Sequence, residues 1–337
     1  MKNLLVLDKI EYKTQNDQYT EYMNKILGGD NYIIYTSYED ETIRKVRNYR
    51  IIGSAMQHIL YWAKSYKYAR KIMKCKYDVI YCINPIVGMF LGLFNKKSKI
   101  ILCGFLFEEK KNKLYYNIRK IITKQMLKGI DKVVVYGSKE VDYYKHLFPH
   151  SKFVFVKYGI DYDNKSLYNG TKLPDKYLFS GGGSNRDYKT LISAYNKSLR
   201  RKKMVIATQP WRLEECDTRN IIVLEDVVIE NFGYVLGNAE CLILSLKDAD
   251  ISTGHKVMFQ AMSLGIPIIV NDISAIRDYV DENYVTFYST LDCNGLSNII
   301  DTYDNNLEKL NEKAARAKEL YNNEMSFEQF IKRIIKL

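Results

Sequence analysis

The stretch "DADISTGHKVMFQAMSLGIPIIVND", residues 248–272, decides the fold. A polar cluster from Asp248 to His255 runs into an apolar-periodic segment, and Gly265 and Pro267 stop that segment before Ile268-Ile269-Val270. Glycine just past the last periodic residue, followed by proline, ends a helix, and the short β-branched run after it is a buried strand. The order is therefore loop, helix, tight turn, buried strand, with Lys256, Gln260 and Ser263 on the polar face of the helix.

The same unit recurs along the chain. Short apolar runs stand at Leu4–Leu7, Tyr32–Tyr35, Val79–Ile83, Ile100–Cys103, Val133–Tyr136 and Phe153–Val156. A second set stands at Tyr177–Phe179, Met204–Ala207, Ile221–Leu224, Cys241–Leu246, Ile268–Val270 and Tyr284–Phe287. Near-continuous apolar strands belong to parallel sheets covered on both faces, and alternation with helices gives βαβ units. Two consecutive sets predict two doubly wound α/β domains, a number that suits 337 residues. The boundary is predicted in "KYGIDYDNKSLYNGTKLPDK", residues 157–176, which is polar, Gly- and Pro-punctuated and aperiodic. A last helix is predicted to begin at Ser326, with Gln329 three residues on as a capping box.

The net charge of +12 is unevenly spread: residues 1–160 carry 29 Lys+Arg against 14 Asp+Glu, a net of +15, and the remainder is net −3. Excess positive charge confined to one half predicts an anionic partner for that half. Residues 41–76 hold ten Lys/Arg against one acid, Glu41, interleaved with Ile59, Leu60, Trp62 and Tyr66. A second basic helix is predicted at 110–128, "KKNKLYYNIRKIITKQMLK". Basic amphipathic helices edged with Trp and Tyr suit an anionic membrane interface, though packed helices with solvated lysine faces produce a similar pattern. No nucleic-acid recognition motif accompanies the charge.

The six cysteines, at 75, 82, 103, 216, 241 and 293, form no C-x-x-C pair and read as free thiols of a reducing compartment. The four histidines have no metal-ligand spacing. The N-terminus lacks a signal-peptide profile, and no apolar run approaches the roughly 20 residues of a membrane span. The expectation is a cytoplasmic protein, peripheral at the inner face of the cell membrane.

Two stretches can hold an anion. In "YLFSGGGSNRDYKTLISAY", residues 177–195, a buried strand ends in Gly181, Gly182 and Gly183, then Arg186, then a helix. Glycines let backbone N–H groups approach a phosphate, a helix N-terminus adds its dipole, and Arg186 can clamp phosphate in a bidentate manner. The spacing is neither G-x-G-x-x-G nor a Walker loop, and a tight turn alone would need fewer glycines. The second stretch is the opening one, where Ser252, Thr253, Gly254 and His255 enter a helix after another buried strand. Ligands of open α/β sheets bind at that carboxyl edge, so one diphosphate can lie between the two helix starts.

The glycine turn, basic residue and "L-I-x-A" helix, then "Q-A-M-S-L-G-I-P-I-I-V" and an Asp, resemble nucleotide-sugar glycosyltransferases of the GT-B fold, most of all family 4. "DKVVVYGSKEVDYY" (131–144) and "KYGID" (157–161) resemble that family's last acceptor-domain strand and interdomain linker. The likeness covers most of residues 99–285. It implies two Rossmann-like domains facing each other across a cleft: residues 1–158 for the acceptor, with a C-terminal helix of about 324–337 packed back onto it, and residues 172–323 for the donor.

It also implies roles. Arg186 falls where the family places a basic residue on the donor diphosphate. Gln260 falls at the second Glu of the family's Glu-x7-Glu pattern, a ribose contact, and Ser252 stands where the first Glu would be. Both acids are thus replaced, although an amide still hydrogen-bonds a hydroxyl. Val227 and Val228 sit where backbone contacts to the base are made. Glu108 and Glu109, after "KIILCGFLF", are candidates for the base that deprotonates the acceptor hydroxyl, or simply charges opening a basic helix. Trp211 can stack on a base or pack, and His255 can donate to the donor or lie on the surface. Asp248-Ala249-Asp250 spells D-x-D, a metal motif of a different glycosyltransferase fold, and reads here as loop acids.

The implied function is metal-independent transfer of a sugar from a nucleotide-diphosphate donor, UDP-linked, to a hydroxyl of a lipid-linked saccharide in surface polysaccharide synthesis. The nucleotide sugar is substrate and no cofactor is expected. A UDP-sugar 2-epimerase of the same fold and a non-catalytic scaffold of a glycan-assembly complex are the alternatives, the latter favoured by the missing Glu pair.

Overall fold

The computed structural model describes residues 1–8, 16–28, 30–36, 53–95, 97–108, 112–162, 167–199, 202–227, 229–247 and 251–337. Contacts divide the chain into two units, residues 1–156 with 331–337, and residues 157–330.

The first unit runs β1 (Lys2–Asp8), α1 (Asn16–Leu27), β2 (Asp30–Thr36), α2 (Gly53–Ile72), β3 (Val79–Cys82), α3 (Pro85–Phe94), β4 (Lys99–Cys103), α4 (Lys113–Leu127), β5 (Lys132–Val135), α5 (Ser138–Leu147) and β6 (Phe153–Phe155). Its six strands are parallel in the order β2-β1-β3-β4-β5-β6. Leu4 to Leu7, Ile100 to Cys103 and Val133 to Val135 are fully buried, as expected of strands covered on both faces. Helix α3 starts sharply because Asn84 caps it, accepting from the Val87 N–H at 3.2 Å, and Pro85 occupies the first turn.

The second unit runs β7 (Tyr177–Gly181), α6 (Tyr188–Lys197), β8 (Lys203–Ala207), β9 (Ile221–Leu224), α7 (Ile229–Gly237), β10 (Cys241–Leu244), α8 (His255–Leu264), β11 (Ile268–Asn271), α9 (Ser274–Arg277), β12 (Thr286–Tyr288), α10 (Cys293–Asp301), α11 (Leu307–Glu324) and α12 (Phe327–Ile335), whose last residues, from Ile331, belong to the first unit. Its strands are also parallel, in the order β9-β8-β7-β10-β11-β12. The chain builds outward from β7 to β9, crosses back, and builds outward again from β10. The strand order therefore reverses between β7 and β10, the position at which doubly wound sheets open a crevice beyond their carboxyl ends.

The predicted linker differs from expectation at its start. Residues 157–162 pack into the second unit rather than running free. Tyr158 and Ile160 are buried, the Tyr158 N–H donates to the Tyr279 hydroxyl (2.9 Å), and the Ile160 N–H donates to the Met325 carbonyl (2.9 Å). The Phe327 N–H donates to Asp161 Oδ1 (3.1 Å), and the Gln329 N–H donates to Ser326 Oγ (3.3 Å) where the capping box was expected. A Cβ on Gly159 would stand 2.3 Å from the Ser326 carbonyl, so this backbone approach admits glycine alone. A polar, aperiodic string hides these contacts because they are made mainly by its backbone.

Candidate functional site

Residues 182–187 follow β7, and residues 245–254 follow β10, so the two stretches singled out in the sequence leave adjacent strands at the switch point. They are stitched together by backbone. The Asp187 N–H donates to the Ser245 carbonyl (3.0 Å), the Lys247 N–H donates to the Asn185 carbonyl (3.0 Å), and Arg186 and Leu246 form an antiparallel bridge. From the next strand, buried Asn271 holds Leu246 on both sides: its Oδ1 accepts from the Leu246 N–H and its Nδ2 donates to the Leu246 carbonyl, each at 2.8 Å.

The three glycines do different work. Gly181 ends β7, and a Cβ there would lie 2.8 Å from the Phe232 ring. Gly182 has φ +107°, outside the range of L side chains, and a Cβ would meet Arg186 Nη2 at 2.6 Å. The Gly182 amide is not available to a phosphate, contrary to expectation, because it donates to the Ala207 carbonyl at 3.1 Å. Its carbonyl accepts from the Tyr188 hydroxyl (2.6 Å) and Thr208 Oγ1 (3.1 Å). The Gly182 peptide is thus hydrogen-bonded on both sides and forms a shelf.

Two guanidinium groups rest on that shelf. Arg186 donates from Nε to the Gly181 carbonyl (2.9 Å) and from Nη1 to the Ser184 carbonyl (2.8 Å). Arg212, in a 3₁₀ turn (Pro210–Arg212) after β8, donates to the Gly183 carbonyl and, from Nε, to Gln209 Oε1 (3.1 Å). No carboxylate among the described residues pairs with either. Burial lowers the Arg186 pKa, and the charge of Arg212 lowers it further, the electrostatics of a site that favours an anion. Sequence reasoning missed Arg212. It stopped at Trp211, whose side chain is 63% exposed and does not pack into the core.

The two helix starts differ. Asp187 caps α6, its carboxylate accepting from the Thr190 N–H at 3.1 Å, so this N-terminus already carries a negative charge. An anion there competes with the cap, whereas the sequence led to the expectation that both helix starts take part in holding one diphosphate. The N-cap of α8 is Gly254 (φ +79°), which has no side chain to cap with, and a Cβ would lie 2.9 Å from Leu246 Cδ1. The dipole end of α8 therefore carries no N-cap side chain with which an anion would compete. Two buried hydroxyls at this sheet edge, Ser180 Oγ and Thr253 Oγ1, have no hydrogen-bond partner. Orphaned buried hydroxyls are costly, which suits a site completed by a polar ligand.

Other expectations fall elsewhere. The His255 ring is neither on the surface nor turned toward a ligand. It is buried, Nε2 donates to the Ala275 carbonyl at 2.8 Å, and the ring packs on Tyr279 (4.4 Å) and Phe259 (6.0 Å). Burial pushes its pKa down to about 4. Gln260 is buried rather than on a solvated polar face, and Ser252 is half-buried. Val227 follows β9 and is half-buried. Glu108 lies in the first unit beyond the carboxyl end of β4, where its carbonyl accepts from Arg119 Nη1 (3.1 Å). Glu109, Val228, Asp248 and Asp250 lie outside the described residues, as do 41–52 and 110–111 of the two basic segments. Among the described residues no cluster of three metal-ligating side chains occurs, and no helix is long and apolar enough to cross a membrane.

No protein-family model and no curated protein sequence matches the chain. Solved structures do. Sucrose-phosphate synthase from Thermosynechococcus elongatus aligns with all of this chain and 98% of its own, with a TM-score of 0.68 at 11% identity. HepE from Anabaena, solved in complex with UDP-glucose, aligns with all of this chain and 99% of its own, with a TM-score of 0.68 at 10% identity. A glycosyltransferase from Rickettsia africae aligns with 99% of this chain and 97% of its own, with a TM-score of 0.63 at 15% identity. At such identities the likeness is one of fold: two Rossmann-like units in the GT-B architecture.

Proposed function

We propose that the chain is a glycosyltransferase that takes a sugar from a nucleoside-diphosphate donor, UDP-linked, to a hydroxyl of a lipid-linked saccharide at a membrane surface, as in surface polysaccharide synthesis. The observation that carries this reading is the switch point of the second unit. It combines an N-terminus without a side-chain cap, two guanidinium groups with no carboxylate partner among the described residues, and two orphaned buried hydroxyls. This is the composition of a diphosphate site. The UDP and UDP-glucose complexes of HepE, a chain of the same fold, support the choice of donor.

In this reaction the bond between the anomeric carbon and the donor phosphate oxygen breaks, and the acceptor oxygen bonds to that carbon. The acceptor hydroxyl proton passes to a base. Charge develops on the leaving diphosphate, so positive groups aimed at it lower the barrier: the dipole end of α8, Arg186 and Arg212. None of these needs a metal ion. Gln260 is assigned to the donor ribose and Val227 with Val228 to the base. Glu108 or Glu109 is assigned as the proton acceptor from the first unit.

The test is incubation of the protein with radiolabelled UDP-sugars and a bacterial lipid extract. Transfer of label into the lipid fraction, lost in Arg186→Ala, supports the proposal. Conversion of the UDP-sugar to an epimer without acceptor points to the epimerase chemistry of the same fold. Failure to bind any nucleoside diphosphate rejects the proposal in favour of a scaffold.

A further inference from the structure

Helix α4 has its apolar face on the wrong side for a soluble helix. Leu114, Tyr115, Ile118, Ile121 and Ile122 are each between 42 and 70% exposed. Their spacing, i, i+1, i+4, i+7 and i+8, places them on one stripe. At about 100° per residue Leu114 lies opposite Thr123, which is buried, so the stripe is the outer side of the helix. The inner side is held by Thr123, Met126 and Leu127, by Tyr116 against Phe107 (ring centroids 5.4 Å), and by Arg119, whose guanidinium stands 4.3 Å over the Phe107 ring. The helix is thus anchored through a partly polar face and presents its larger aliphatic side chains to solvent. Contiguous exposed apolar surface of this kind marks an interaction site.

Charge identifies the partner. Residues 110–128 contain seven Lys or Arg and no acid. Lys113, Lys124 and Lys128 are exposed along one flank of the stripe. Helix α3 packs against α4 on one side and α2 on the other, and α2 also carries four Lys/Arg, no acid and an exposed Ile59. An aliphatic ridge flanked by lysines, with a tyrosine at its margin, matches the boundary between acyl chains and anionic headgroups. A protein partner would need a groove for the ridge and a balancing set of acids, whereas a fluid lipid surface supplies both.

We propose that α4 lies in the plane of an anionic lipid monolayer, its Leu114–Ile118–Ile121 ridge inserted among the acyl chains and its lysines on the headgroups. This deepens the lipid-linked acceptor assigned under Proposed function, on which it rests for its purpose, but the docking itself depends only on the first unit.

The experiment is co-sedimentation of the full chain with vesicles of about one-third phosphatidylglycerol in phosphatidylcholine, compared with phosphatidylcholine alone. Binding to the anionic vesicles is expected to fall at least ~10-fold in Ile118→Glu/Ile121→Glu. It is expected to fall roughly fivefold for each lysine neutralised in Lys113→Gln and Lys124→Gln. These side chains are exposed, so melting temperature and UDP affinity, measured on the same preparations, should be unchanged. Equal binding by the wild type and the double glutamate variant overturns the inference. So does a concentration-dependent dimer that the double variant abolishes while vesicle binding is absent, since the ridge then covers a second copy of the chain. Vesicle binding through α4 by a protein that binds no UDP leaves this inference standing and removes the glycosyltransferase one.

Discussion

The buried His255 makes the stability of the second unit depend on pH in a way that one substitution isolates. Its ring is enclosed by Tyr279 and Phe259, and its Nε2–H is spent on the Ala275 carbonyl. Desolvation lowers its pKa from 6.5 to about 4, the hydrogen bond to Ala275 opposing the shift. A depressed folded-state pKa favours the neutral ring, so the contribution is whole above 6.5 and is lost as pH falls through the interval down to about 4. Linkage over that interval gives a loss of about 2 kcal/mol between pH 7.5 and pH 5. With a urea m value on the order of 2 kcal/mol/M, the unfolding midpoint moves down by roughly 1 M. The assay is urea unfolding at both pH values for the wild type and His255→Gln, whose amide does not titrate. Carboxylates contribute to both proteins alike, so the difference between the two slopes belongs to the histidine. An identical pH dependence in the variant would refute the burial argument. The consequence reaches the site, because His255 is the first residue of α8, and its protonation would unseat the helix end assigned to the diphosphate.

Four further substitutions have expected outcomes. Gly254→Ala places a methyl 2.9 Å from Leu246 at φ +79° and should lower stability by about 1–2 kcal/mol and weaken UDP binding. Gly265→Ala has a similar φ of +76° but meets only the Lys318 side chain, so it should cost stability while sparing UDP affinity; calorimetry on both variants checks the contrast. Asn271→Ala orphans the buried N–H and carbonyl of Leu246 and should destabilise by at least ~2 kcal/mol in chemical denaturation. Arg212→Ala should raise the Kd for UDP roughly 10-fold or more without altering the melting temperature of the free protein, since its hydrogen bonds lie at the surface.

The twelve strands among the described residues were legible because each is a short apolar run, most of them next to a helix in the chain, and parallel sheets bury both faces of such runs. Two glycine-marked turns after two of those strands pointed to the carboxyl edge of the second sheet, while the strand order that makes it a switch point came from the structure. What lay beyond the sequence was which groups each turn spends internally. Nothing in "SGGGSNRD" tells that the Gly182 amide goes to Ala207, or that Asp187 caps α6 and leaves α8 as the helix without a side-chain cap. Arg212 escaped notice because its approach to Gly183 spans 29 residues of sequence. His255 read as a donor contact or a first-turn surface residue because periodicity counts positions within its own helix, whereas its burial comes from Tyr279 and Ala275 on later elements. The outward stripe of α4 was visible as an amphipathic pattern, but only its exposure shows which face is free.

We propose above all that the crevice between β7 and β10 holds a nucleoside diphosphate on Arg186, Arg212 and the start of α8. Titration calorimetry of UDP into the full chain and into Arg186→Ala tests it directly. One site per chain is expected for the wild type, and an affinity lower by roughly 10-fold or more in the variant. Absence of binding by the wild type, or equal binding by both proteins, would contradict it.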